Sequence, residues 1–196
     1  MPQDDTRERI VTAARELFAR FGYRKTTIDD IAQAHGKAKS SVYYYFKGKE
    51  DIFEAVIESE ARILRQKLSE VLREERNDPM EQLSRYVRVR MGSIQEMASF
   101  YSMMKDEYLS TLQFIHKTRE KYYLKEISTL ETIIKHGINK GVFEDKNPHS
   151  AAMAILTSIH GMEHPLFLGY LQSRDLKARL NDALDIIFYG IVKRNP

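Results

Sequence analysis

The stretch KAKSSVYYYFKGKE, residues 37–50, sets three tyrosines and a phenylalanine in a row among four lysines. A core would bury such rings and a membrane anchor would be longer and more apolar, so the run calls for another use of its ring surface. On a helix over residues 38–46, Val42 and Phe46 stand four apart and share the inward face. At about 100° per residue, Ser40 and Tyr44 then point away from the core, and Tyr43 and Tyr45 fall on the two flanks. Lys37, Lys39, Ser40 and Ser41 lie at the helix start, and Lys49 opens the next helix.

Working outward, Thr27 stands three residues before Asp30, a capping box with Asp in place of Glu, ahead of an apolar stripe of Ile28, Ile31 and Ala32. Gly36 ends that short second helix, and His35 is its last residue. Upstream, Thr6 is a candidate cap for a first helix in which Ile10, Ala14, Leu17, Phe18 and Phe21 recur at helical spacing, with Gly22 as its stop. Three helices in so short a span, the last two joined by a tight glycine turn, match the helix-turn-helix arrangement. In that arrangement the start of the third helix addresses base edges, while tyrosine hydroxyls and lysines reach phosphates.

Charge agrees with this placement. The 196-residue chain carries a net +3, but residues 1–49 hold 10 Lys/Arg against 6 Asp/Glu, a net of +4, and residues 50–196 hold 21 against 22, a net of −1. The positive excess sits where an anionic polymer would be met. Cysteine is absent, which excludes disulfides and thiolate metal sites and fits a reducing cytoplasm. No apolar run approaches the roughly 20 residues of a membrane span, and MPQDDTRERI lacks a signal-peptide core. A soluble, cytoplasmic protein that makes no use of a membrane is the expectation.

The remainder reads as helix throughout, so the fold class is all-α with about nine helices. A long helix is predicted over 50–75, one from Pro79 to about 97 with Asp78 as cap, one over 117–139, and two over 149–171 and 175–193, with Gly141–Pro148 as a loop. Phe100, Tyr101, Met104, Tyr108 and Phe114 lie in a Met- and ring-rich stretch suited to an adaptable ligand pocket or, equally, to plain core. On the last helix Leu184, Ile187, Phe188 and Ile191 belong to an apolar surface wider than one face, which suggests burial on two sides. One side meets the chain's own core. With Ile155 and Ile159 of the preceding helix, the other is a candidate homodimer surface.

The stretch TTIDDIAQAHGKAKSSVYYYFKGKEDIFEAV resembles the N-terminal domain of the TetR family of transcriptional regulators. The resemblance rests on Thr27, Ile31-Ala32, Gly36, Tyr43 to Phe46 and Lys49 to Ile52, and IVTAARELFARFGYRKTTI agrees with it. GVFEDKNPHSAAMAILTSIHGM resembles the approach to that family's dimer-forming helices. The resemblance implies a helix-turn-helix domain over 1–48, a ligand-binding and dimerisation domain over 49–196, and a dimer on a (pseudo)palindromic DNA operator, released by a small-molecule effector. It further implies phosphate contacts from Thr27, Tyr43, Tyr45 and Lys49, with Lys39, Ser40 and Tyr44 nearest the bases. Two positions depart from the family's pattern. Lys37 and Ala38 stand where a small apolar residue and a capping serine are usual, and loss of that cap costs about 1 kcal/mol of helix stability.

Two other readings compete. A dimer without an effector would use the C-terminal half only to associate. An enzyme would use HGMEH, residues 160–164, where His160, Glu163 and His164 fit the spacing of an inverted zinc peptidase. No glutamate follows Glu163 to serve as a third ligand, and Pro165 should kink or break that helix. The sequence therefore points to no catalytic residue, metal or cofactor.

Overall fold

A computed structural model describes residues 2–73, 78–101, 108–167 and 173–190. These residues form eight helices, where the sequence suggests about nine, and no strand. They are α1 (Pro2–Phe21), α2 (Ile28–His35), α3 (Lys39–Tyr45), α4 (Lys49–Arg73), α5 (Pro79–Tyr101), α6 (Tyr108–Asn139), α7 (Pro148–Phe167) and α8 (Ser173–Tyr189). The chain divides into two compact units, one of Met1–Arg65 with Ser99–Lys121, the other of Gln66–Ala98 with Tyr122–Pro196. The division cuts α4, α5 and α6.

In the first unit α1 buries Ile10, Ala14 and Phe18, α2 buries Ile31, and α4 buries Ile52, Phe53, Val56 and Ile57. Each such side chain larger than alanine contributes roughly 1.5–3 kcal/mol on leaving water. Phe18, Tyr23 and Phe53 form a ring cluster with centroids 5.0–5.5 Å apart, and the Arg7 guanidinium lies over Phe46 at 5.0 Å. Thr6 is not the first helix's cap. The helix begins at Pro2, a residue whose fixed φ and missing N–H suit a first turn. Gly22 ends it at φ 82.

The second unit buries Leu83, Tyr86, Val87, Met91 and Ile94 of α5, Leu130 and Ile133 of α6, Leu156 and Ile159 of α7, and Leu176, Leu180 and Leu184 of α8. Asp78 caps α5 as expected, its Oδ1 accepting from the backbone N–H of Met80 at 2.9 Å. α6 begins at Tyr108, well before residue 117. Pro165 does not break α7. It sits within the last turn, and the carbonyl its ring would crowd is that of Gly161, four residues back.

Candidate nucleic-acid interface

The geometry of α3 is set by the two turns before it. Thr27, extended at φ −107 and ψ 164, accepts at Oγ1 from the Asp30 N–H at 3.2 Å, and Asp30 Oδ2 accepts from the Thr27 N–H at 2.8 Å. The Thr27 hydroxyl also donates to that carboxylate at 2.7 Å. These bonds hold the Asp30 carboxyl below its ordinary 3.8, because hydrogen bonds to the ionised form favour it. Thr27 is exposed, but both its donors are engaged, so a phosphate would compete with Asp30 for them.

At the other end of α2, Gly36 adopts φ 73 and ψ 28. Its N–H donates to Gln33 O at 3.0 Å and the Lys37 N–H donates to Ala32 O at 3.1 Å, the paired bonds of a Schellman motif. The chain then enters α3 at Ala38, which supplies no side-chain cap. His35 closes α2 as expected and is buried, and its Nε2 has no hydrogen-bond partner among the described residues.

On α3 the burial follows the predicted phase. Val42 and Phe46 are 0% and 2% exposed, while Tyr43 and Tyr44 are 49% and 70% exposed. Tyr45 is half-buried, with its ring edge-on to Tyr44 at 4.9 Å. Lys37, Lys39 and Ser40 are exposed and Ser41 is half-buried. Lys39 Nζ donates to Asp29 Oδ2 at 2.8 Å, and this bond raises its pKa. Lys39 therefore enters any anion contact from an existing ion pair. α3 and the turn before it thus set two rings, two ammonium groups and a hydroxyl outward from an anchored base.

Lys49 departs from expectation. Its ammonium donates to the carbonyls of Tyr23, Arg24 and Thr26 at 2.8, 3.3 and 2.9 Å and lies 4.4 Å from the Tyr23 ring centroid. An ammonium has three donors, and here all three have acceptors inside the domain. A phosphate would have to compete with this internal tie for the ammonium.

Residues 10–56 match the family described as "Bacterial regulatory proteins, tetR family", and residues 79–183 match "Tetracyclin repressor-like, C-terminal domain". The chain belongs to the TetR family of transcriptional regulators. The HTH-type transcriptional regulator AcrR of Shigella flexneri is 28% identical over 191 residues, covering 93% of this chain and 87% of that protein. A transcriptional regulator from Cytophaga hutchinsonii has a similar structure, with a TM-score of 0.79 and 28% identity over 92% of this chain and 95% of that one. The regulator FadR from Bacillus subtilis, solved in complex with stearoyl-CoA, has a TM-score of 0.65 at 23% identity, covering 94% of this chain and 99% of that one. That last likeness is one of fold.

For a TetR-family chain the remaining candidate residues lie beyond α4, the proposed ligand-pocket set within 99–121 of the first unit and the proposed dimer set in the second. Met104 lies outside the described residues, as do the side chains of Phe100, Tyr101, Tyr108 and Phe114. Of the expected dimer surface, Ile155, Ile159 and Leu184 are buried in the unit's own core, so they are not free to meet a second copy. Ile187 and Phe188 are half-buried, and Ile191 lies outside the described residues. The large apolar groups exposed on these helices are Met153 of α7 and Ile186 and Tyr189 of α8. A cavity of about 380 Å³ opens among Leu83, Ile134, Phe143, Ile155, Ile187 and Phe188.

A cluster that the sequence reading misses is also here. Arg90 of α5 pairs with Glu163 of α7 and, at 3.2 Å, with Glu126 of α6, and its Nη2 lies 3.0 Å from His160 Nε2. The Arg90 and Glu163 side chains are 3% and 0% exposed. Burial works against the Arg90 charge, but the two carboxylates outweigh it and push its pKa up. Burial, with Glu126, also pushes the Tyr86 phenol up. The available signal was a charge within an apolar stripe. Arg90 continues the spacing of Leu83, Tyr86 and Val87, and Glu163 continues that of Leu156 and Ile159.

Proposed function

We propose that this TetR-family regulator works in the cytoplasm as a homodimeric repressor, each protomer setting α3 into the major groove of one half of a (pseudo)palindromic operator. Tyr44, Lys39 and Ser40 meet base edges, and Tyr43, Tyr45, Lys37 and Ser41 meet the sugar-phosphate backbone. Thr27 joins them if Asp30 yields its hydroxyl. The observation that carries this reading is the split on α3, with Val42 and Phe46 buried and Tyr43 and Tyr44 in solvent.

The second protomer is met through the exposed face of α7 and α8, with Met153, Ile186 and Tyr189 in place of the buried Ile155, Ile159 and Leu184. A small-molecule effector binds the C-terminal domain and favours a dimer that no longer matches the half-site separation; its affinity must differ between the two states. Support comes from the fold, which holds stearoyl-CoA in the FadR structure. The chain carries no catalytic role in this reading. Glu163, the base of a hypothetical zinc site, already has its carboxylate on Arg90.

Genome-wide recovery of bound DNA supplies the operator, and titration of that operator tests the face. Affinity should fall steeply with salt, since released counterions drive phosphate binding. Tyr44→Ala should change the ranking of operator variants, whereas Lys37→Ala should weaken all of them alike. An unchanged ranking for both Tyr44→Ala and Ser40→Ala would remove α3 from base readout. Stoichiometric zinc in the purified protein would restore the enzyme reading.

A further inference from the structure

Lys49 is the first residue of α4, and its ammonium is held by the one loop that joins α1 to α2. Three successive-turn carbonyls, of Tyr23, Arg24 and Thr26, take its three hydrogens, and the Tyr23 ring covers it. These carbonyls follow the end of α1, where backbone acceptors lack helical partners and a cation is favoured. The loop is fixed at both margins. Tyr23 packs its ring on Phe18 and Phe53, and buried Thr26 donates its hydroxyl to Gly22 O at 2.8 Å. The next residue is Thr27, the cap of α2.

We propose that Lys49 is a positioning residue for operator binding. It ties the first turn of α4 to the α1–α2 loop, holds the capped start of α2 in place, and so sets the orientation in which α2 and Gly36 deliver α3. Reaching a phosphate would require its ammonium to surrender at least one carbonyl and the Tyr23 face. The proposal rests on α3 being the DNA-reading helix. It adds that a cation in the binding domain acts through backbone carbonyls and leaves phosphates to Lys37, Ser41, Tyr43 and Tyr45.

The test uses the full-length protein with Lys49→Gln and Lys49→Arg, at a temperature where circular dichroism shows each fully folded. Affinity for operator and for unrelated DNA is measured between 50 and 200 mM salt. Positioning predicts that Lys49→Gln loses about ten-fold on the operator and much less on unrelated DNA, with the salt slope unchanged. It also predicts no rescue by Lys49→Arg, whose planar fork cannot fill a three-carbonyl seat. A phosphate contact predicts a slope smaller by about 0.9, equal losses on both DNAs, and rescue by arginine. That set of results overturns the proposal. A purely structural role would leave the operator-to-unrelated ratio unmoved, and that also overturns it. Amide exchange in the free protein gives an arm that needs no DNA, so failure of the DNA-binding reading is told apart from failure of this one. Exchange at residues 23–27 should accelerate in Lys49→Gln, and unchanged protection there sinks the tie. If Lys49→Gln does not fold, Tyr23→Leu removes the ring and keeps the carbonyl, and the same ratio is read on it.

Discussion

Arg90 and Glu163 form an ion pair with both side chains out of solvent, joining α5 to α7. A buried pair gains little over apolar packing, yet removing one partner strands the other charge at a cost of about 3–5 kcal/mol. Arg90→Met should therefore lower unfolding free energy in urea by about that much. Adding Glu163→Met to it should recover part of the loss, since the stranded carboxylate is then gone. Glu126 retains an exposed edge, at 17%, and can turn to water. A loss below about 1 kcal/mol for Arg90→Met would mean that the cluster contributes nothing that packing does not.

His35 provides a pH signature in the DNA-binding unit. Burial penalises its imidazolium, and Arg9 and Lys37 add repulsion, so its pKa in the folded chain lies below the ordinary 6.5. The unfolded chain takes up a proton near 6.5 that the folded chain resists. By linkage, stability is whole above that value and declines as pH falls below it. His35→Leu should flatten the decline between pH 7.5 and 5.5, read as the parent-minus-variant difference in urea unfolding. At pH 7.5 the variant should be no less stable, because Nε2 has no partner among the described residues to lose. A decline equally steep in both proteins would place the acid sensitivity elsewhere.

Ala38 begins α3 without a side-chain cap. Ala38→Ser should stabilise the chain by about 1 kcal/mol, since serine at this position satisfies an orphan N–H. Thermal unfolding measures it, and hydrogen exchange should slow in the first turn of α3. No gain would show that the turn from Gly36 already holds the helix start as firmly as a cap would.

Much of the first unit was legible because its signals are local. Thr27 and Asp30 declare a cap within four residues, Gly36 declares the left-handed turn, and the spacing of Val42 and Phe46 phases α3 correctly. The position of Lys49 suits a phosphate contact, while its ammonium turns to three carbonyls of its own domain. Which way a lysine turns depends on carbonyls more than twenty residues upstream, and no local pattern carries that. The same limit applies to Arg90, whose partners lie on two other helices, and to α8. There, apolar residues on most of the circumference suggested burial on two sides, but not that Leu184 looks inward while Ile186 looks outward. Thr6 misled because a good capping residue inside a helix is silent when the chain before it is also helical.

Glycine 137 gives the last prediction, because its position reverses an ordinary expectation. Gly→Ala inside a helix normally gains about 1 kcal/mol, and Gly92 of α5 should follow the rule, since an added Cβ there meets nothing within 4 Å. At Gly137 of α6 the added Cβ would run into the Phe143 ring, as near as 2.8 Å even to Cγ. The ring is held over the helix because the Val142 and Phe143 N–H groups donate to Gly137 O at 2.9 and 3.2 Å, and it stacks on Phe188 with centroids 6.4 Å apart. Overpacking of this kind costs about 1–3 kcal/mol, enough to cancel or outweigh the propensity gain. Gly137→Ala should thus be neutral to destabilising where Gly92→Ala stabilises. In a Phe143→Ala background the clash is absent, and Gly137→Ala should turn stabilising. That change of sign, read as the coupling energy of a double-mutant cycle, tests the contact directly; equal effects in the two backgrounds would show that the ring does not rest on Gly137.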